Sequence, residues 1–435
     1  MGRRVVTVAE VRLWGRRIGA VTWSDGDRLA SFEYDANFRS SGIEVSPITM
    51  PLDARIHQFP GLPEEAFRGL PGMLADSLPD RYGNALIDAW LARRGRSPGS
   101  FNPVERLCYV GSRGMGALEY RPSRGPGSSV DEVDVAGLVE LADAILSKRS
   151  ALNTDIEHHD DAINQILQVG TSAGGARAKA VIAWNPETRV VRSGQAGLEP
   201  GFSHWILKLD GVRSSDDREV GTTLGYGLIE YAYHQMAMRA GLRMTECRIL
   251  EEGGRHHFMT KRFDRSDSSK KLHMQSLAAL AHFDYNAAGA YSYEQAIGVM
   301  RKLALSQAEI EQQYRRTVFN IVARNQDDHV KNIAFLMDKT GRWSLSPAFD
   351  VIYSYNPSGS WTSEHQMSVN GKRDGFVTDD LLELGRFSNL KAPRARQIIG
   401  EIMMAVSQWP ELARQAGVAA AKVREVERYF RSSLA

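Results

Sequence analysis

The chain has 435 residues, 43% hydrophobic and 24% charged, with 54 lysines and arginines against 52 aspartates and glutamates and a net charge of +2. This is the balance of an ordinary globular protein of two or three packed units; it argues against nucleic-acid binding driven by net charge and leaves only a local basic patch open. Cys108 and Cys247 are the only cysteines and lie far apart, which excludes a disulfide framework or a cysteine metal cluster and fits a reducing cytoplasm.

The opening stretch MGRRVVTVAEVRLWGRRIGAV is basic but has no uninterrupted apolar run, so no signal peptide is expected. No segment approaches the roughly 20 apolar residues of a membrane span, and a cytosolic protein is expected. VVTVAEVRLWGRRIGAVTWS alternates apolar and polar residues around a glycine break, which predicts a hairpin, and DGDRLASFEYD predicts a third strand. In the helical stretch from 63 to 95, Pro79 is placed to start a helix whose apolar stripe includes Leu86, Ile87, Trp90 and Leu91. SRGPGSSVDEVD, residues 123 to 134, reads as a linker. Beyond it come a glycine-rich loop, GTSAGGARAK (170 to 179), the short strand HWILKLD, a long helix ending at Gly241, and the strand RHHFMTKRFDR with a charged exit. Helices dominate after about 290, except where NIAFLM and RWSLS flank DKTG as a hairpin. No internal repeat or low-complexity tract is visible.

The chemistry concentrates in RNQDDHVKNIAF, residues 324 to 335. Asp327 lies five positions before Asn332, and Asp350 follows the hairpin, which is the interval and order of a protein-kinase catalytic loop and its metal-binding aspartate. Phosphoryl transfer needs hard oxygen ligands for Mg²⁺, a part suited to Asn332 and Asp350, and a carboxylate to orient the acceptor hydroxyl and take its proton, a part suited to Asp327. Lys331 suits the transferring phosphate. By itself the fragment reads more readily as a solvated turn or helix cap. The glycine loop is either a phosphate cradle or a Gly-Gly turn, and it is neither a Walker A nor a Rossmann sequence. Thr171 and Ser172 at its tip are candidate phosphate acceptors. Lys208 in HWILKLD and Glu230 in the next helix match a strand lysine and helix glutamate that position nucleotide phosphates, although each alone is an unremarkable surface residue. The order of all these parts is that of a two-lobed kinase.

On SAGGARAKA, HWILKLD, TKRFDR, QDDHVKNIAF and LSPAFDVI, with LWGRRIGAV and GMLADSLPDRYGNAL ahead of them, the chain resembles the HipA family of serine/threonine kinases, the toxins of bacterial HipBA-type toxin–antitoxin modules. The resemblance implies an α+β, two-lobed, protein-kinase-like fold with a small β-rich N-terminal subdomain (1–125), a kinase N-lobe with phosphate loop and hinge (126–265), and a helical C-lobe with catalytic loop and metal site (266–435). It implies ATP and Mg²⁺ as cofactors. Gly174, Gly175, Ala176, Arg177, Ala178 and Lys179 would form the phosphate loop, Lys208 would meet the ATP phosphates, and Lys261, Arg262 and Phe263 would be the adenine hinge. His329, Lys331 and Phe349 would complete the nucleotide site, with Asp327 as base, Asn332 and Asp350 on the metal, and Ser172 as the autophosphorylated residue, Thr171 remaining an alternative. A phosphate on that loop would be repelled by those of ATP, switching the enzyme off.

This sequence departs from the family in Lys261, where some relatives carry an acid, and in Arg177-Ala178, where others have Gln-Glu. Implied partners are a helix-turn-helix, HipB-like antitoxin, operator DNA reached only through it, and a protein substrate of the translation apparatus such as an aminoacyl-tRNA synthetase. Two other readings are a kinase-like co-repressor acting with an antitoxin on DNA, with NGKRDG (370 to 375) and KAPRARQ (391 to 397) as basic contacts, and a small-molecule phosphotransferase.

Overall fold

The alternation in the first 34 residues produces strands because every second side chain is apolar and can turn to one face. β1 (Val8–Leu13) buries Ala9, Val11 and Leu13 and forms a hairpin with β2 (Arg16–Ser24) across Trp14 and Gly15, both at positive φ (51° and 81°), as a tight primed turn requires. With β3 (Leu29–Tyr34) and β4 (Leu118–Arg121) they make a sheet of order β3-β2-β1-β4. The computed structural model describes residues 6–126, 132–146, 177–195, 198–212, 224–266 and 270–434.

Between β3 and β4 lie α1 (Arg81–Ala92) and α2 (Pro103–Val110), the latter closed by an Asn102–Glu105 capping box with Pro103 in its first turn. The stripe expected on α1 is buried, but Pro79 does not start the helix. Asp80 is its cap, accepting from the Gly83 N–H at 2.7 Å, because a carboxylate satisfies an end N–H that a proline ring cannot.

The second sheet has five strands in the order β6-β5-β7-β9-β8, all neighbours antiparallel: β5 (Lys179–Trp184), β6 (Val191–Ser193), β7 (Ser203–Lys208), β8 (Cys247–Glu252) and β9 (Arg255–Lys261). Every residue of β5 is buried. Ala180, Ile182 and Trp184 share one core with Tyr82, Leu86 and Trp90 of α1 and with Leu138 and Val139 of α3 (Val135–Leu146), so α1 covers the sheet that carries the lysines. On the other side α4 (Tyr226–Arg239) packs on β8 and β9. Its Gly227 approaches the His256 carbonyl so closely that a Cβ would sit 2.0 Å from that oxygen, a contact only glycine permits.

The remainder is mainly helical: α5 (Tyr293–Lys302), α6 (Gln307–Val322), α7 (Thr378–Phe387), α8 (Ala392–Val406), α9 (Trp409–Gln415) and α10 (Ala420–Tyr429). The expected hairpin is β12 (Ala334–Met337) against β13 (Trp343–Leu345), but it is two strands of three. β10 (His273–Ser276) pairs with β12, while β11 (Tyr291–Ser292) and β14 (Met367–Ser368) form a short parallel pair. Short strands such as HMQS carry too little alternation to be read locally. Among the described residues no helix is long and apolar enough to cross a membrane.

Candidate active site

α6 is capped by Ala323, and Arg324 takes a left-handed φ of 55° to send the chain into the loop before β12. The loop is pinned from outside itself. Ser354 Oγ accepts from the N–H groups of Gln326 (2.7 Å) and Asp327 (2.9 Å). Asp328, fully buried, accepts from Tyr293 Oη (2.6 Å), the Gln366 N–H (2.8 Å) and His365 Nδ1 (2.8 Å). Burial pushes the Asp328 carboxyl up, but His365, Tyr293 and the Gln366 N–H outweigh it and hold it low. Its neighbour Asp327 points the other way and is 44% exposed at the side chain. A residue left unassigned in the sequence is thus the anchor of the loop.

Asp327 Oδ1 accepts from Trp361 Nε1 at 2.8 Å and lies 3.9 Å from His329 Nε2. Asn332 donates through Nδ2 to the Asp327 carbonyl at 2.7 Å, which locks the five-residue interval and leaves Oδ1 as its hard acceptor atom. Lys331 Nζ sits 4.4 Å from the centre of the Tyr285 ring, a cation–π contact.

Asp350 follows the hairpin at φ 51°, a left-handed conformation that an aspartate adopts only when its surroundings impose it. Its carboxylate and that of Glu230, from α4, both bind Lys208 Nζ. Burial pushes the Asp350 carboxyl up, yet the Lys208 and Lys179 ammonium groups prevail and hold it at about 2. Burial likewise depresses Lys208, and its two carboxylates more than reverse that. Lys179 faces Lys208 directly across β5 and β7 and pairs with Asp80 at 3.5 Å.

The remaining predicted residues fall around this centre or outside the description. The Arg177 guanidinium lies 4.0 Å from the centre of the Tyr226 ring, at the start of α4, and Ala178 is buried. Phe263 and Phe349 meet with ring centres 5.7 Å apart. The Lys261 N–H bonds the Glu246 carbonyl at 2.8 Å. Arg262 turns its guanidinium into a buried pair with Asp264 (2.9 and 2.7 Å). Asp264 also accepts from the Gly116 N–H at 2.7 Å, tying the segment after β9 to the loop before β4. Ser172, Thr171, Gly174, Gly175 and Ala176 lie outside the described residues.

Sequence reading missed Asp80, Trp361, Ser354 and Asp264. Only Asp80 carried a local signal, an aspartate directly before a helical stripe. The expected basic contacts at 370–375 and 391–397 include Lys372, Arg373 and Arg394, which pair with Asp380, Glu364 and Glu311 respectively.

Among the described residues no three or more His, Cys, Asp or Glu side chains gather as a metal cluster. Asn332 Oδ1 and the ionised Asp350 carboxylate are the hard oxygen donors beside the loop, a set that suits Mg²⁺ completed by phosphate oxygens.

A family model described as the HipA-like C-terminal domain matches residues 171–409, and one described as the HipA N-terminal domain matches residues 9–121. The chain belongs to the HipA family. HipA of the toxin–antitoxin system of Shewanella oneidensis MR-1, solved with HipB and its operator DNA, superposes with a TM-score of 0.67 at 14% identity, covering 97% of this chain and 95% of that one. Over the described residues its fold is therefore the HipA fold. The Helicobacter pylori proinflammatory kinase CtkA matches 52% of this chain and 88% of its own at 13% identity, with a TM-score of 0.33, too low to add to the argument. No curated protein matches the sequence.

Proposed function

We propose that this HipA-family chain is an ATP- and Mg²⁺-dependent serine/threonine protein kinase that phosphorylates itself at Ser172. The observation that carries the reading is Lys208, held between Glu230 and Asp350, together with the loop in which Asn332 bonds the Asp327 carbonyl. A lysine paired to a helix glutamate orients nucleotide phosphates, and a half-exposed aspartate on a rigid loop takes the acceptor proton. Bound Mg²⁺ would neutralise charge on the phosphate oxygens, with Asn332 and Asp350 as its protein ligands. Phe263 and Phe349 supply apolar faces for the base, and Lys331 and His329 lie beside Asp327 for the transferring group.

The partner would be a HipB-like helix-turn-helix antitoxin, as in the Shewanella assembly, with operator DNA reached through it, since three basic side chains of the two candidate segments are already paired. The protein substrate would belong to the translation apparatus, an aminoacyl-tRNA synthetase for example, and its phosphorylation in the cytoplasm would arrest growth. Incubation with labelled ATP and Mg²⁺ tests the reading: label enters the chain at Ser172 and a lysate protein, and Asp327→Asn removes both. Absence of transfer by the unaltered protein refutes it.

A further inference from the structure

Asp80 belongs by sequence to the β-rich N-terminal region, yet its carboxylate ends beside the lysines of the kinase sheet. Oδ1 caps α1 through the Gly83 N–H at 2.7 Å. Oδ2 is 3.5 Å from Lys179 Nζ, and the two side chains are only 7% and 4% exposed. Capping accounts for the first contact alone, because a neutral asparagine caps a helix as well as an aspartate does. Burying an ammonium group requires a counter-charge, and the need is sharper here because Lys179 stands directly opposite Lys208, where like charges repel. Lys208 has Glu230 and Asp350; Lys179 has Asp80 within ion-pair distance and feels the Asp350 carboxylate as well. Burial pushes the Asp80 carboxyl up, and Lys179, the Gly83 N–H and Lys331 oppose that rise without reversing it.

We propose that Asp80 is a positioning residue of the nucleotide site. It holds Lys179 Nζ at the start of β5, where the phosphates of ATP bind, so that the N-terminal domain sets nucleotide affinity together with the two kinase lobes. The inference rests on the ATP-dependent reading above and adds to it a residue from outside the kinase lobes. Asp80 touches neither substrate nor metal in this role and acts only through Lys179.

The test is an equilibrium titration of the full chain with a fluorescent ATP analogue and Mg²⁺, which requires no phosphoryl transfer. Asp80→Asn keeps the cap and removes the charge, and it should weaken binding about five- to tenfold and lower the unfolding temperature, because the buried Lys179 ammonium loses its counter-charge. Asp80→Ser, also a good cap, should behave alike and guards against a fault peculiar to asparagine. In a Lys179→Met background, Asp80→Asn should have no further effect. Unchanged binding by Asp80→Asn and Asp80→Ser, or losses that multiply with Lys179→Met, would overturn the inference while the kinase reading stands. Failure of the unaltered chain to bind the analogue would overturn both.

Discussion

The indole N–H of Trp361 donates to Asp327 Oδ1 at 2.8 Å, across 34 residues of chain. One oxygen of the candidate base is therefore held by the segment that follows Asp350, while Ser354 and Gln366 of the same segment bind the backbone of Asp327 and the side chain of Asp328. The loop that carries Asp327 and the segment after Asp350 form one hydrogen-bonded unit, so the orientation of the Asp327 carboxylate is already set.

Trp361→Phe keeps the ring and deletes the donor. Loss of one hydrogen bond to a charged group, about 1.5 kcal/mol, should lower kcat for phosphoryl transfer about tenfold. The KM for ATP should stay constant, because no nucleotide contact is removed. Steady-state kinetics with varied ATP would show the split; an equal rise in KM would contradict it.

The adjacent aspartates should separate cleanly by what they touch. Asp327→Asn should cut kcat by about 10²- to 10⁴-fold, the usual worth of a general base, without altering the unfolding temperature, since the side chain is 44% exposed. Asp328→Ala should lower both, because Tyr293, His365 and the Gln366 N–H lose a buried acceptor, at a cost of about 2–3 kcal/mol. Thermal melts run beside the transfer assay distinguish the two patterns.

Lys208→Met would leave the Glu230 and Asp350 carboxylates without their shared cation. Breaking a buried ion pair on one side costs about 3–5 kcal/mol, and transfer should vanish with it. Adding Glu230→Gln should recover much of the stability and none of the activity, because the uncompensated charge is relieved but the phosphate contact stays lost. Denaturant midpoints for the single and double variants give the comparison.

Acid sensitivity should come from buried histidines. Burial alone lowers His234 to about 4, and burial first of all lowers His204, His257 and His273 to about 4 as well. In the unfolded chain each ring takes a proton near 6.5, so between 6.5 and 4 the unfolded state binds more protons than the folded one. Stability should be full above 6.5 and fall steadily as the pH drops toward 4. His273, fully buried and packed against Trp343 with ring centres 5.7 Å apart, is the sharpest probe. His273→Gln should flatten the slope of unfolding temperature against pH over that window, whatever it does to the temperature at pH 7.

The elements that sequence made legible are those whose signal lies within a few residues. The β1–β2 hairpin shows in its alternation and glycine, β12–β13 in the DKTG turn, and α4 in its closing Gly241. The interval from Asp327 to Asn332 was legible for the same reason, and the structure turns it into a hydrogen bond. β10 was not legible, because four residues hold too little pattern and its pairing partner lies some sixty positions away. Arg262 was expected in the adenine hinge with Lys261 and Phe263, and the burial of its guanidinium against Asp264 could be known only once the N-terminal loop at Gly116 was in place.

By itself, then, the amino-acid sequence determined the order of parts: glycine loop, strand lysine, helix glutamate, catalytic loop, hairpin, aspartate. That order suffices for a family because turn chemistry, periodicity and motif spacing are properties of neighbouring residues. Only the tertiary structure decided which charges meet. Asp80 reaches Lys179 across 99 positions and Lys208 reaches Asp350 across 142, and nothing near either residue encodes its partner. Such pairs exist because folding removes water from both ends at once, and a buried charge persists only where the fold delivers an opposite one.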